Sequence, residues 1–237
     1  TLSLHDALPI SFNGQRCTAL KLVCVHDSIA DRWTTALAER VAALKVGMPW
    51  ESGVKITPLP DVNKPAELKK MVDESLTRGA RLFHPERALR TVGTMVAPAV
   101  VDHVDWNDTL AQVEQFGPVI PVIRFKNIDD VVSQLVQSPF GMQASLFGQD
   151  AKILGPLVDA LSNQVARINI NAACQRGPDV FPFTGRKNSA EGTLSVSDAL
   201  RAFSLRTMVA TNNASPEGQS AFRGILEQDS SNFLTNH

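Results

Sequence analysis

The stretch best suited to chemistry is Gly14-Gln15-Arg16-Cys17-Thr18-Ala19. A thiolate attacks where a thiol does not, and a guanidinium beside a thiol favours the anion. Arg16 stands directly before Cys17, and small residues bracket the pair. The apolar run that follows, Leu20-Lys21-Leu22-Val23-Cys24-Val25, reads as a strand, so Cys17 is expected in a loop mounted at a strand's start. The competing reading of any free cysteine is a small buried hydrophobe. Cys24, in mid-strand, is expected to be one, and Cys174 has no context for chemistry.

The elements that must hold this loop are strands and helices in alternation. Ser28 reads as a helix cap with Asp31 in the capping-box position, followed by an apolar stripe Ile29, Trp33, Leu37, Val41, Leu44 that stops before Gly47. Residues 48–65 are rich in Gly and Pro and read as a loop. Leu68, Met71, Val72 and Leu76 mark a second amphipathic helix ended by Gly79. Residues 80–83, 91–100, 119–125, 143–147 and 165–170 read as strands, and 102–112 as a loop with one helical turn. Asn127 and Asp150 each cap a helix whose apolar residues are expected to face inward. A short helix over 198–202, a strand over 203–211 and a polar tail allowing a helix around Phe222, Ile225 and Leu226 complete the chain. Repeated strand–helix–strand units predict an α/β fold: three layers, with a mostly parallel sheet covered by helices on both faces. Cys17, Gly117 and Arg176 would then lie in loops at the sheet edge.

Composition narrows the classes. The 237 residues are 43 % hydrophobic and 20 % charged, enough for one substantial core. A net charge of -1 offers no attraction for nucleic acid or an anionic membrane. Three cysteines without CxxC or Cys/His spacing, and five scattered histidines, argue against zinc, any other metal site, and a disulfide framework. No apolar run is long enough to span a bilayer, and a cytoplasmic location is expected.

Three motifs in one order carry a resemblance to a known family. Gly14-Gln15-Arg16-Cys17 resembles the nucleophile loop G-Q-x-C of the aldehyde dehydrogenase superfamily; Glu114-Gln115-Phe116-Gly117-Pro118-Val119 resembles its E-x-F-G-P-V segment; Phe181 to Ser189 resembles its P-F-G-G-x-K-x-S segment. Arg16, Gln175-Arg176-Gly177-Pro178-Asp179, Gly47-Met48-Pro49-Trp50 and Ile56-Thr57-Pro58-Leu59 are similar to the non-phosphorylating glyceraldehyde-3-phosphate dehydrogenases within it. The resemblance implies a catalytic domain over 11–203, an oligomerisation strand over 204–211 and a tail over 212–237. It also implies NADP- or NAD-dependent oxidation of an aldehyde, D-glyceraldehyde 3-phosphate above all, through a thiohemiacetal and a thioester on Cys17. Glu114 would hold the nicotinamide ribose hydroxyls, Phe116 would pack beside the ring, and Phe183 would line the substrate tunnel. Arg16 and Arg176 would clamp the substrate phosphate, whose oxygens match guanidinium donors in pairs. Their bland readings are a solvated loop charge for Glu114, core aromatics for Phe116 and Phe183, and surface ion pairs for the arginines, Asp179 being the partner of Arg176. A homodimer or homotetramer is the family habit.

Two departures matter. Val113 replaces the first of the family's paired glutamates, and Ala190 a glycine whose backbone, if left-handed, would make alanine costly. Neither the L-E-L-G-G-K general-base segment nor the oxyanion-hole asparagine precedes Cys17, so the chain reads as a catalytic domain without its cofactor domain, inactive and self-associating when alone. Residues 1–10 look like a translated adapter of sequencing libraries and are set aside. The alternatives are a dehydrogenase for another acidic aldehyde, such as a semialdehyde, and a non-enzymatic fragment that keeps only the fold.

Overall fold

The computed structural model describes residues 10–235, so the expected adapter-derived segment lies, except for Ile10, outside the described residues. The chain divides at residue 196 into two units. In the first, a four-stranded sheet is built from β1 (Val23–His26), β2 (Arg81–Leu82), β5 (Ala99–Asp102) and β6 (Val119–Phe125) in the order β1-β6-β5-β2. β1, β6 and β5 run parallel, and β2 is antiparallel to β5 at the edge. Helix α1 (Asp27–Ala42) covers one face and α2 (Lys64–Thr77) the other.

The alternation of side chains along the strands makes the three layers. Val25, Val100, Ile120 and Val122 pack with Ala30, Leu37, Ala38 and Val41 of α1. Ala99, Val101, Val119 and Ile123 pack with Leu68, Met71 and Val72 of α2. Successive strand residues point to opposite faces, so a sheet buried on both sides needs apolar residues on both, as residues 99–101 of β5 and 119–123 of β6 have. Ile10, set aside with the N-terminal segment in the sequence reading, is buried in the α1 cluster and belongs to the fold.

Several boundaries differ from expectation. His26, not Ser28, caps α1: its ring accepts from the Ser28 N–H at 3.3 Å, which frees Asp31 to pair with Arg124 at 2.7 Å. The buried face of α1 is Ala30, Thr34, Leu37, Ala38 and Val41, while Ile29 is exposed and Leu44 lies beyond the helix. The single strand expected over 91–100 is a hairpin, β3 (Thr91–Val92) with β4 (Met95–Val96), followed by β5. Gly93 turns the chain with φ of +60°, a conformation glycine adopts without steric cost.

The single turn α3 (Thr109–Gln112), helix α4 (Ile128–Gln137) and helix α5 (Ala151–Ser162) form where expected, α4 and α5 capped by the carboxamide of Asn127 and the carboxylate of Asp150. Their apolar faces are not buried as predicted. Val131 is the one buried residue of α4 and Leu161 that of α5, and Val136 and Ile153 are half exposed. Two smaller sheets complete the unit: β7 (Phe140–Gly141) with β10 (Arg186–Lys187), and β8 (Gln143–Leu146) parallel to β9 (Arg167–Ile170).

The second unit begins within α6 (Val196–Ala202) and holds α7 (Pro216–Glu227) and α8 (Asn232–Thr235). The strand expected over 203–211 does not form. Its alternating apolar residues are exposed, Phe203 and Leu205 almost completely, and among the described residues none forms a ladder with them; a strand exists only with a neighbour to complete its hydrogen bonds.

Candidate active site

Both halves of the site stand immediately before parallel neighbouring strands. Val23 of β1 is in register with Val122 of β6. The segments leading into these strands, 14–22 and 114–118, therefore enter the sheet side by side at its amino end. Open α/β sheets usually bind their ligands at the carboxyl ends of the strands, so the two loops stand at the opposite end from that.

The nucleophile loop is tightly specified. Residues 11–14 form a 3-10 turn in which Phe12 and Asn13 take left-handed backbone angles. The buried Asn13 side chain donates to the carbonyl and the hydroxyl of Thr57, both at 2.8 Å, and accepts from the Thr57 N–H at 3.0 Å. Those bonds hold a strained turn against the segment 56–59. Cys17 follows, and it is exposed. Arg16 lies over the ring of Phe12, 3.4 Å from its centroid, a cation–π contact that holds the guanidinium beside the loop.

The second loop is tied to the first at several points. Gln15 Nε2 donates to the carbonyl of Phe116 at 2.6 Å. The buried Gln115 Nε2 donates to the carbonyls of Lys21 at 3.0 Å and Val119 at 2.9 Å, and reaches that of Leu20 at 3.4 Å. Lys21 Nζ donates to the carbonyl of Leu110 at 2.8 Å. Gly14, at φ of +72°, lies against the backbone of Gly117 with no room for a Cβ.

Electrostatics follow burial. Desolvation pulls the Lys21 ammonium down to about 8, with the Glu114 carboxylate partly opposing it. The Glu114 carboxyl is pushed up by desolvation, and Lys21 works against that rise. Glu114 remains exposed, so its oxygens are open to two hydroxyl donors. Burial pushes the Cys24 thiol up to about 12 and raises that of Cys174, which lies 3.3 Å from Ser145 Oγ; both behave as packed residues.

Arg176 stands just before the chain's third motif. Its backbone neighbours are fixed by Arg167 Nη1, which donates to the carbonyls of Gln175 and Gly177, and by the carboxamide of Gln143. The Arg176 guanidinium lies 5.4 Å from the ring centroid of Phe183 and 3.9 Å from Asp179, so the expected surface partner and the expected tunnel residue both touch it. The contacts of Arg16 are with Phe12, so the two arginines are held by separate aromatic rings. Lys187, in the same motif, caps α4 by donating to the carbonyls of Leu135, Val136 and Ser138. Ala190 is outside the left-handed region; Gly192, at φ of +71°, makes that turn, and the substitution carries no backbone strain.

Asn13, Gln15, Gln115, Lys21 and Lys187 were not singled out by sequence. Each acts through a partner remote in the chain, and only the glutamines and Lys187, lying inside recognised motifs, gave any sign. A cavity of about 230 Å³ opens beside the last turn of α1, lined by Val41, Phe83 and Val100 among others; no predicted site residue lines it. Among the described residues, no cluster of His, Cys, Asp and Glu could hold a metal ion, and no helix is long and apolar enough to cross a membrane.

An α/β sheet carrying an exposed cysteine on one loop and a glutamate-bearing loop bonded to it defines a class of protein. A family model for the aldehyde dehydrogenase family matches residues 8–209, and the chain belongs to that family. It is 34 % identical over 191 residues to the NADP-dependent glyceraldehyde-3-phosphate dehydrogenase of Streptococcus equinus, covering 81 % of this chain and 39 % of the relative. It is 32 % identical over 206 residues to the enzyme of the same name from Triticum aestivum, covering 87 % and 40 %. Among solved structures it resembles NADP-dependent glyceraldehyde-3-phosphate dehydrogenase from Bacillus halodurans complexed with NADP, with a TM-score of 0.75 and 37 % identity over 81 % of this chain and 39 % of that one. Succinate-semialdehyde dehydrogenase from Burkholderia pseudomallei is similar at a TM-score of 0.76 and 27 % identity, over 82 % and 40 %. The chain thus spans about two-fifths of the length of the relatives it matches.

Proposed function

We propose that this chain carries the nucleophile and the nicotinamide-facing loop of an NADP-dependent aldehyde dehydrogenase that oxidises D-glyceraldehyde 3-phosphate to 3-phosphoglycerate. The observation that supports it most is the bonding of the Cys17 loop to the Glu114–Pro118 loop, since an aldehyde oxidation needs a nucleophile and a hydride acceptor at one carbon. The names of the sequence relatives supply the substrate.

In this reading the Cys17 thiolate attacks the aldehyde carbon, forming a carbon–sulfur bond and an oxyanion. In the same reading the Cys17 backbone N–H donates to that oxygen. A dinucleotide held by Glu114 and Phe116 would supply the hydride acceptor, which leaves a thioester on Cys17. Water then cleaves the resulting thioester to the acid, returning the thiol. Glu114, exposed and on a braced loop, fits two ribose hydroxyls, and Phe116 offers an aromatic face beside them. Arg16 and Arg176 meet the substrate phosphate, each steadied by an aromatic ring. The chain spans about two-fifths of the length of these relatives, and the 237-residue chain alone is expected to be inactive.

The test is carried out on the complete gene product. NADP reduction should occur with glyceraldehyde 3-phosphate and vanish in Cys17→Ser. A kcat/KM higher for succinate semialdehyde than for the phosphorylated aldehyde would replace this substrate with the semialdehyde. Absence of NADP reduction with either would leave a protein with the family's fold and not its reaction.

A further inference from the structure

Gln115 occupies a position that the proposed chemistry does not use, yet it is 3 % exposed and surrounded by backbone carbonyls. One nitrogen, Nε2, lies within 2.9 to 3.4 Å of three of them, on Leu20, Lys21 and Val119. The amide orientation is therefore settled by chemistry: an oxygen placed there would face three acceptors. Its own Oε1 is buried without a hydrogen-bond partner. A buried carbonyl left unpaired is costly, so the gain at Nε2 must outweigh it.

The geometry spans two chain segments that sequence leaves far apart. Gln115 reaches from the Glu114–Pro118 loop to carbonyls three and four residues beyond Cys17. Gln15 reaches back, from two residues before Cys17, to the carbonyl of Phe116. Each glutamine donates into the other's loop, one on either side of the nucleophile.

We propose that Gln115 is a positioning residue that fixes the distance between the Cys17 loop and the loop bearing Glu114 and Phe116. The inference rests on the reading of Cys17 as nucleophile and Glu114–Phe116 as the nicotinamide contact. A group that only supports the core would affect every property of the protein together. A latch between these loops affects the step that needs both of them and spares what needs one.

The test is Gln115→Met, which keeps length and volume and removes both donors. In the complete gene product, kcat for NADP reduction should fall about tenfold while KM for the aldehyde stays within twofold, because the latch sets the alignment of the two loops in the reacting complex and not the binding of the aldehyde. Alkylation of Cys17 by iodoacetamide, mapped by mass spectrometry, should stay within twofold, because it needs the thiol alone. In the 237-residue chain, amide hydrogen exchange should quicken in both 14–22 and 114–119 and remain unchanged in α1 and α2. A rise in exchange throughout the core, or in one loop alone, would overturn the proposal, as would equal losses of kcat, alkylation and thermal stability. Should the methionine variant not fold, Gln15→Leu cuts the opposite arm, and paired acceleration of the two loops is again the expected result. If the unsubstituted gene product reduces no NADP, the proposed reaction fails while the exchange measurement still decides the latch.

Discussion

Gly14 and Gly117 meet backbone to backbone: a Cβ on Gly14 would overlap the carbonyl oxygen of Gly117, and Gly14 is also left-handed at φ of +72°. Two loops about a hundred residues apart in sequence are thereby brought into contact without any side chain between them. Gly14→Ala should destabilise the fold by about 1–3 kcal/mol from backbone strain alone, with the overlap adding to it. Urea unfolding of the variant measures the loss, and a change within about 0.5 kcal/mol would mean the loops are free to separate.

The cysteines should differ sharply in reactivity. Cys17 is exposed, whereas burial pushes Cys24 up to about 12 and raises Cys174. Limited treatment of the native protein with iodoacetamide at mildly alkaline pH should label Cys17 at least about tenfold faster than either of the others. Peptide mapping reads the order directly; labelling of Cys174 at the rate of Cys17 would contradict it.

Asp102 is fully buried at the end of β5 and receives both Nε and Nη2 of Arg124, at 3.1 and 2.6 Å. Asp102→Ala removes two charge-assisted hydrogen bonds and leaves Arg124 only the exposed Asp31, and should cost about 1.5–3 kcal/mol. The other partner of Arg124, Asp31, is 91 % exposed, and Asp31→Ala should cost far less because water screens that pair. Asp102→Ala combined with Arg124→Met should recover part of the loss. Chemical denaturation of the three variants tests the ranking.

Lys21 predicts a pH dependence of stability. Its pKa in the fold is about 8 against an ordinary value of 10.5, so between these values the unfolded chain binds more protons. The fold is penalised for holding a charged, desolvated lysine at lower pH, and the penalty fades as pH rises through this interval. Relative to Lys21→Met, the unsubstituted chain should therefore gain stability across about pH 8 to 10.5. The same variant removes the cation that restrains the Glu114 carboxyl, whose raised pKa should climb further. Carboxyl chemical shifts followed through a pH titration would show whether it does.

Arg176 tests the substrate. If it binds the phosphate, Arg176→Ala should lower kcat/KM for glyceraldehyde 3-phosphate by roughly 10²-fold in the complete gene product and affect an unphosphorylated aldehyde much less. Arg176→Lys should rescue only in part, because lysine lacks the planar fork that matches phosphate oxygens and stacks on the Phe183 ring. Equal slowing of both aldehydes would assign Arg176 to its contacts with Phe183 and Asp179.

What the sequence by itself determined is local. The motif around Cys17, the caps Asn127 and Asp150, the strand 119–125 and the α2 stripe are all written in residues a few positions apart, and the structure has them at those places. Propensity, capping and periodicity act over one or two turns, which is why they can be read without a fold. Burial was less legible: Ile153 and Val136 have helical spacing, but spacing says which residues share a face and not what covers it. Nor could alternation alone make 203–211 a strand, since the ladder needs a partner.

The site itself was decided by tertiary structure. That Gln15 would find Phe116, Gln115 the carbonyls of Leu20 and Lys21, and Asn13 the whole of Thr57 depends on contacts 44 to 101 residues apart. Parallel pairing of β1 with β6 places the two loops together, and that pairing is a choice among strands that look alike in sequence. Each strand's side chains announce only that it is buried on both faces. Which neighbour it takes, and in what register, is settled by the packing of α1 and α2 on the assembled sheet.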